Sequence, residues 1–314
     1  QQLPQRLNHL KQILKIRQIE EQLDPNDSLI LIPHRDLHQL PLHSCFTPSP
    51  SSSQSRTISY RPNLSLRSSA PASASAHPIL IGHPSSQQPL EYARLETQLI
   101  ERLYPQAQPL TEAAVTPENF RQRLQTPASC FYFSGHGEHD SRTPEQSALY
   151  LANDEPFTLA ELDALDSAQY PLVCLAACET GISNWGEFIN EFVGFPAVFL
   201  NKGTGAVLST LWTVSEVSSM IFIVEFFRHY QQQLQPTAAL QHAQTQLRTL
   251  TWWDLARWYD QAVTRSLPFS YRKWLKSCAR NIRKSPQNHP PETIPYRHPY
   301  HWAGFILTQL GVES

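Results

Sequence analysis

The chain has 314 residues, of which 40% are hydrophobic, and its formal net charge at pH 7 is -2. This length and composition allow a substantial core, which excludes an intrinsically disordered protein. The near balance of charges gives no general attraction to nucleic acid or to a membrane, so either partner would need a local patch. No signal peptide or membrane span is visible, and the five cysteines are an odd number in a chain too large to need disulfides. We therefore expect reduced thiols and a cytoplasmic location.

The first segment has leucine and isoleucine at mostly helical spacing over 3–23. This pattern predicts one amphipathic helix. We interpret 1–24 as a lead-in helix from an upstream region and 25–314 as the main domain. The chain does not begin with methionine, so we expect it to be a fragment of a longer protein.

A buried strand is predicted next, at 29–32, followed by a hairpin-like return over 33–41. The serine-rich stretch 47–56 has the composition of a flexible loop, as does the Ser, Ala and Pro-rich stretch 68–77.

Strands and helices then alternate along the chain. The predicted strands are 78–82, 130–134, 171–177, 205–211 and 302–308, and the predicted helices are 89–103, 117–125, 158–166, 187–201, 215–233 and 237–249. This alternation predicts an α/β fold with a mainly parallel sheet that is covered by helices on both faces.

The segment 250–299 breaks this alternation. It contains four tryptophans, and between Arg265 and Lys284 it has seven basic residues and no acidic one. Such a mixture could bind nucleic acid or an acidic partner through 265–284. The simpler interpretation is an insertion that packs its tryptophans on the sheet and leaves its charges in water.

Two apolar runs end in short motifs that carry a reactive side chain. The run that begins at Cys130 leads into Ser-Gly-His-Gly with His136, and the run that contains Cys174 leads into Ala-Cys-Glu-Thr-Gly with Cys178. A histidine and a cysteine beyond the carboxyl ends of parallel strands can meet as a thiol nucleophile and its general base. We expect the glycines to turn the backbone sharply and hold His136 outside the strand. The alternatives are a hydrogen-bonded loop histidine and a buried structural cysteine, and the second suits Cys130 and Cys174 better than Cys178.

Other chemistries fit less well. His136 with His139, and Cys174 with Cys178, have spacings that superficially resemble zinc ligands, but Cys174 and Cys178 on one strand would lie about 13 Å apart at roughly 3.3 Å per residue. Gly-Thr-Gly at 203–205 precedes a strand, whereas a dinucleotide-binding motif follows one. We expect a tight helix-to-strand turn there, and we expect neither a metal nor a cofactor.

In sequence order, the chain resembles the CHAT family of caspase-like cysteine peptidases, which belong to the same clan as caspases, gingipains and separase. The resemblance rests on segments 33–41, 58–62, 134–137, 175–181, 203–212 and 298–305. It implies a caspase-haemoglobinase-like three-layer sandwich. It also implies a His–Cys dyad, in which His136 is base and later acid, Cys178 attacks the scissile carbonyl, and the N–H groups of Gly137 and Cys178 form the oxyanion hole.

The resemblance also suggests what the protein acts on. It implies a regulated intracellular endopeptidase with a protein substrate, and the alternative is a catalytically weak CHAT-like scaffold that binds a protein partner. Family members are often fused to tetratricopeptide repeats, so an upstream repeat region or regulatory protein is an expected partner.

Specificity is expected to involve Glu216. In separase-like relatives, acidic residues just after a Leu-Trp motif line the pocket for the residue before the cut and select a basic side chain. Glu216 stands near that position, although Ser215 and Ser218 occupy places where many relatives have further acids. The alternative is that Glu216 is a favourable carboxylate in the first turn of the following helix.

Overall fold

The computed structural model describes residues 2–24, 27–46, 56–62, 77–140, 142–177, 194–232 and 235–310. At its start, α1 (Leu3–Ile13) is followed by α2 (Ile16–Glu20), and Lys15 between them has a left-handed backbone with φ 51°. The expectation of one continuous helix is therefore wrong, because this residue interrupts it. α1 and α2 bury Leu7 and Ile16 in a small apolar cluster that also contains Cys45 and Phe46.

The described chain contains one mainly parallel sheet. Its strands are β1 (Leu29–Leu31), β2 (Ile58–Tyr60), β3 (Ile79–Pro84), β4 (Leu110–Glu112), β5 (Phe131–Glu138), β6 (Ala148–Tyr150), β7 (Pro156–Thr158), β8 (Leu172–Ala177), β9 (Ala206–Thr210) and β10 (Phe305–Gln309). The order across the sheet is β1-β2-β10-β9-β8-β5-β3-β4. Along this path only the β10–β9 pair is antiparallel. β6 and β7 form an antiparallel extension on the end of β5.

Helices cover both faces of this sheet. They are α3 (Glu91–Glu101), α4 (Pro117–Leu124), α5 (Leu159–Ala164), α6 (Phe195–Asn201), α7 (Glu216–Gln231), α8 (Pro236–Thr249), α9 (Trp252–Ala262) and α10 (Phe269–Lys284). Successive side chains of a strand point to opposite faces. Accordingly, Tyr132 and Cys174 join the core under α3, α7 and α8, whereas Phe131, Phe133 and Val173 join the core under α4, α5 and α6. The predicted three-layer α/β fold is confirmed.

Two local expectations have different outcomes. The hairpin-like return at 33–41 is wrong, because 3-10 turns at Arg35–Gln39 and Leu42–Cys45 follow β1, which then pairs with β2 in parallel. The tight turn at 203–205 is confirmed, since α6 ends two residues before Gly203, whose φ of +92° favours glycine. Residues 47–55, 68–76 and 187–193, which include most of both predicted loops and the start of one predicted helix, lie outside the described residues.

The 250–299 segment contains α9 and α10, which the sequence pattern did not predict. Two of its tryptophans contact helices: the Trp258 indole donates to Glu225 of α7 at 2.7 Å, and Trp274 meets Tyr92 of α3 edge to face at 5.3 Å. Trp253 is 52% exposed, which corrects the expectation that the tryptophans pack on the sheet. Within the described ranges, no helix is both long enough and apolar enough to cross a membrane.

Candidate active site

The candidate site includes the carboxyl-terminal part of β5, which is the neighbour of β8 in the centre of the sheet. The parallel register of these strands pairs Gly135 with Ala177. His136 is the next residue on one strand, and Cys178 is the next residue in the sequence after the other. Cys178 lies outside the described residues.

His136 lies within a strand and not in a turn. β5 continues to Glu138, and His136 pairs with Tyr150 of β6. The expected sharp turn at the glycines is therefore wrong, because the β6–β7 extension keeps this stretch extended. Gly135 has a different use: a Cβ atom there would lie 2.8 Å from the Phe133 ring, so the side chain of any other residue would force the ring to move.

A backbone carbonyl orients the His136 imidazole. Its Nε2 atom lies 2.7 Å from the carbonyl oxygen of Gln88. A carbonyl accepts only, so Nε2 is the protonated nitrogen in this contact, and in the neutral ring Nδ1 keeps its lone pair. A ring held in this tautomer can take a proton at Nδ1, as a general base requires.

The segment that supplies this carbonyl is attached to the turn between β6 and β7. The backbone N–H of Gln87 donates to Asp154 Oδ2 at 3.1 Å, and the N–H of Asn153 donates to the Ser85 carbonyl at 2.8 Å. Asn153 and Asp154 both have left-handed backbones, with φ of 62° and 60°. Hydrogen bonds from the Ser86 side chain and the Gln87 N–H lower the pKa of Asp154, which keeps it an acceptor. We call residues 85–88 with 153–154 the His136 strap.

A second group supports β5 from the helix face. Glu96 of α3 is 3% exposed and accepts hydrogen bonds from Tyr132 Oη at 2.5 Å and from Ser134 Oγ at 3.0 Å. Burial raises the pKa of Glu96 to about 7, while the two hydrogen bonds oppose that rise. The group fixes the strand two residues before His136.

The described cysteines are unsuited to nucleophilic attack. Cys45, Cys130 and Cys174 are at most 1% exposed, and burial raises the pKa of each thiol. Burial likewise raises the pKa of the half-buried Cys278. Because the thiolate is the nucleophile, these shifts disfavour all four. The interpretation of Cys130 and Cys174 as core residues is confirmed.

The other predicted site residues lie on two elements. Gly137 is opposite Leu149 in the β5–β6 pair, and its oxyanion role stays a prediction. Glu216 is exposed at the first residue of α7, where both the specificity and the helix-terminus interpretations remain predictions. Its charge acts on Tyr92 of α3, whose pKa is raised first by burial and then by Cys278, Glu216 and Glu91.

Sequence reasoning missed the strap and Glu96. The Gln88 contribution comes from the backbone, which carries no sequence signal. Glu96 did carry one, since a lone acid beside Leu95, Leu99 and Ile100 on a helix indicates a buried carboxylate. No group of three or more His, Cys, Asp or Glu residues in the described ranges is placed to hold a metal ion.

The chain is similar to solved caspase-like peptidase structures. The Arg-specific cysteine proteinase gingipain R matches with a TM-score of 0.46 and 10% identity, covering 81% of this chain and 54% of that one. The complex of Porphyromonas gingivalis gingipain pro- and mature domains matches with a TM-score of 0.43 and 10% identity, covering 81% of this chain and 55% of that one. The Saccharomyces cerevisiae separase–securin complex matches with a TM-score of 0.45 and 16% identity, covering 96% of this chain and 17% of that one.

The chain thus spans about half the length of the gingipain chains and less than a fifth of the separase chain. No curated protein matches it. The CHAT domain model, by contrast, matches residues 4–309, which includes most of the predicted lead-in segment and nearly all of the main domain. The chain belongs to the CHAT domain family.

Proposed function

We propose that the protein is a cysteine endopeptidase that cleaves a protein substrate with His136 as base and Cys178 as nucleophile. One observation carries the proposal. The register of two adjacent parallel strands pairs Gly135 with Ala177, and the next residues in the sequence are a histidine and a cysteine. Membership of the CHAT family supports the same pair.

The orientation of His136 suits the chemistry. With Nε2–H donating to Gln88, Nδ1 accepts the Cys178 proton, and the thiolate attacks the scissile carbonyl carbon. The oxyanion that forms would be held by the N–H groups of Gly137 and Cys178. His136 then gives the proton to the departing amine, and the C–N bond breaks. Water attacks the thioester, its proton passes to His136, and release of the acid restores the thiol.

The other thiols make the assignment selective. Each described cysteine has a raised pKa, so Cys178 is the thiol that we expect to react near neutral pH. A basic preference through Glu216, regulation through an upstream repeat region, and a cytoplasmic setting remain predictions.

The test uses the full chain with candidate substrate proteins and compares wild type with Cys178→Ala and His136→Ala. Cys278→Ala and His9→Ala are the matched controls, since they remove a half-buried thiol and an exposed imidazole away from the strands. We expect both dyad variants to lose about 1,000-fold or more of the cleavage rate, with the controls unchanged.

Alkylation of Cys178 by iodoacetamide, read by mass spectrometry, gives a second measurement. We expect His136→Ala to slow it at pH 7 and to leave Cys278 alkylation unchanged. Cleavage that persists in both dyad variants would make the assignment wrong. Partner binding without any cleavage by wild type would favour the scaffold alternative.

A further inference from the structure

A cavity lies between α3 and the insertion helix α10. Its volume is ≈ 360 Å³, and its wall is formed by Glu91, Tyr92, Leu95, Ser270, Tyr271 and Trp274. Half of these residues come from the 250–299 segment, for which the proposed function has no role. The cavity is large enough for one long amino-acid side chain.

The cavity lies close to the proposed dyad. Glu91 is three residues after Gln88, whose carbonyl contacts His136. An extended chain spans at most about 3.6 Å per residue, so the Cα atoms of Glu91 and Gln88 are within about 11 Å of each other. A peptide bound at the dyad therefore reaches this rim within a few residues.

The walls are aromatic and aliphatic. Tyr92 and Trp274 meet edge to face at 5.3 Å, Trp274 meets Tyr259 in the same way at 5.7 Å, and Leu95 is 1% exposed. These contacts fix the rings before a ligand arrives. Preformed rings suit the stem of a long side chain and also attract a cation to their faces.

The rim adds a negative charge. Glu91 is exposed and takes part in none of the ion pairs between described residues, whereas its neighbour Arg94 is paired with Glu112 at 2.9 Å. No cation of α10 forms an ion pair with Glu91: Arg283 pairs with Asp260, and Arg272 lies 5.9 Å from the Phe269 ring. The rim therefore has an acid to offer to a ligand.

These features select among side chains. An acidic side chain would be repelled by Glu91. An aromatic or aliphatic one would fill the space but leave the Glu91 carboxylate partly desolvated with no partner, which costs free energy. Lysine or arginine suits both the aromatic walls and the Glu91 carboxylate, because its aliphatic stem lies on the rings and its cation reaches the carboxylate.

We propose that this cavity binds a basic side chain of the substrate at a position other than the residue before the cut. The inference rests on the proposed function for the meaning of substrate. We assign a separate position because Glu216, the predicted determinant of the residue before the cut, is not itself among the residues of the cavity wall, although its charge acts on the wall residue Tyr92. The 250–299 segment then contributes to the choice of substrate sequence.

Binding is measured first, so that the test does not need turnover. The full-length Cys178→Ala variant is titrated with fluorescein-labelled dodecapeptides of alanine and glycine that carry one lysine, norleucine or phenylalanine at each position in turn, and anisotropy is followed. We expect lysine to bind tightest at one position. Glu91→Gln should weaken that lysine peptide by about tenfold and leave the norleucine peptide unchanged.

Controls separate the cavity from general effects. Glu101→Gln removes a carboxylate from the far end of α3 and should change nothing. Trp274→Phe keeps a ring and should bind within about threefold of the parent, whereas Trp274→Leu should lose about tenfold. Equal binding of lysine and norleucine, tighter binding of phenylalanine, or no effect of Glu91→Gln would overturn the proposal.

Cleavage gives the position. In the active enzyme, a positional peptide library should show that Glu91→Gln relaxes the basic preference at one position and Glu216→Gln at another. If both variants act on the same position, the cavity is not a separate subsite. If wild type cuts nothing while the lysine peptides still bind as expected, the proposed function fails and the cavity assignment stands.

Discussion

Two carboxylates support the region around His136, and their surroundings differ. Glu96 is buried under β5, where loss of water raises its pKa to about 7 despite two hydroxyl donors. Asp154 is partly exposed in the His136 strap, where the Ser86 side chain and the Gln87 N–H lower its pKa. The pKa values of the two carboxyl groups therefore shift in opposite directions, because desolvation dominates at Glu96 and hydrogen bonding dominates at Asp154.

The difference separates two roles. Glu96 connects α3 to the strand, so its loss removes contacts from the core of the fold. Asp154 holds a surface segment whose carbonyl orients the imidazole. Changes at Glu96 should therefore appear in the free energy of unfolding, and changes at Asp154 should appear in the reactivity of the dyad.

The largest expected effect is that of Glu96→Ala. The change leaves the hydroxyls of Tyr132 and Ser134 without their acceptor in the core and creates a void, so we expect a loss of about 3–4 kcal/mol in the free energy of unfolding. Urea denaturation at pH 5.5, where Glu96 is protonated in the native state, measures it. Glu101→Ala on the same helix is the control and should change stability by less than about 1 kcal/mol. A similar loss in both variants would mean that the effect belongs to the helix and not to the buried group.

The second effect is the pH dependence that Glu96 confers. Its pKa rises on folding from 4.5 to about 7, so the protonated form stabilises the native state. That contribution is fully present below about pH 4.5 and is lost as pH rises through about 7, with a total on the order of 3 kcal/mol. We expect Glu96→Gln, which keeps an acceptor but cannot ionise, to flatten the fall in stability between pH 5 and 8. If the free energy of unfolding of Glu96→Gln falls with pH as steeply as that of wild type, groups other than Glu96 cause the fall.

The central sheet was predictable because its strands are continuous apolar runs between helices. The run around Cys130 and the run around Cys174 each gave a strand whose inner part was placed correctly, and β8 begins and ends within one residue of its prediction. The end of β5 was not predictable, because residues 136–138 pair with β6, a strand of three residues that gave no periodic signal. Pairing with β6 keeps this stretch extended, although glycines usually indicate a turn.

The helices of the 250–299 segment were not predicted, for a related reason. Its aromatic and basic residues suggested a surface for nucleic acid or a cover for the sheet, but the helical spacing of Leu275, Ala279 and Ile282 is the feature that places α10 against its neighbours. That spacing was present in the sequence. The pairing of Trp258 with Glu225, by contrast, joins residues on different helices and could not be read from either segment alone.

The smallest expected effect is that of Asp154→Ala, and it is the one that tests the strap. Without the carboxylate, the Gln87 N–H loses its acceptor and the Gln88 carbonyl is held less firmly against His136 Nε2. We expect the free energy of unfolding to change by less than about 1 kcal/mol, because Asp154 lies at the surface and is only partly buried. The rate of Cys178 alkylation at pH 7 and kcat/KM should each fall about five- to tenfold, since a misplaced base is a poorer one. Asp154→Asn keeps an acceptor oxygen and should recover most of both rates, while the exposed Asp166→Ala should leave them unchanged. Equal losses with alanine and asparagine would mean that the charge of Asp154, rather than its hydrogen bond to the strap, acts on His136.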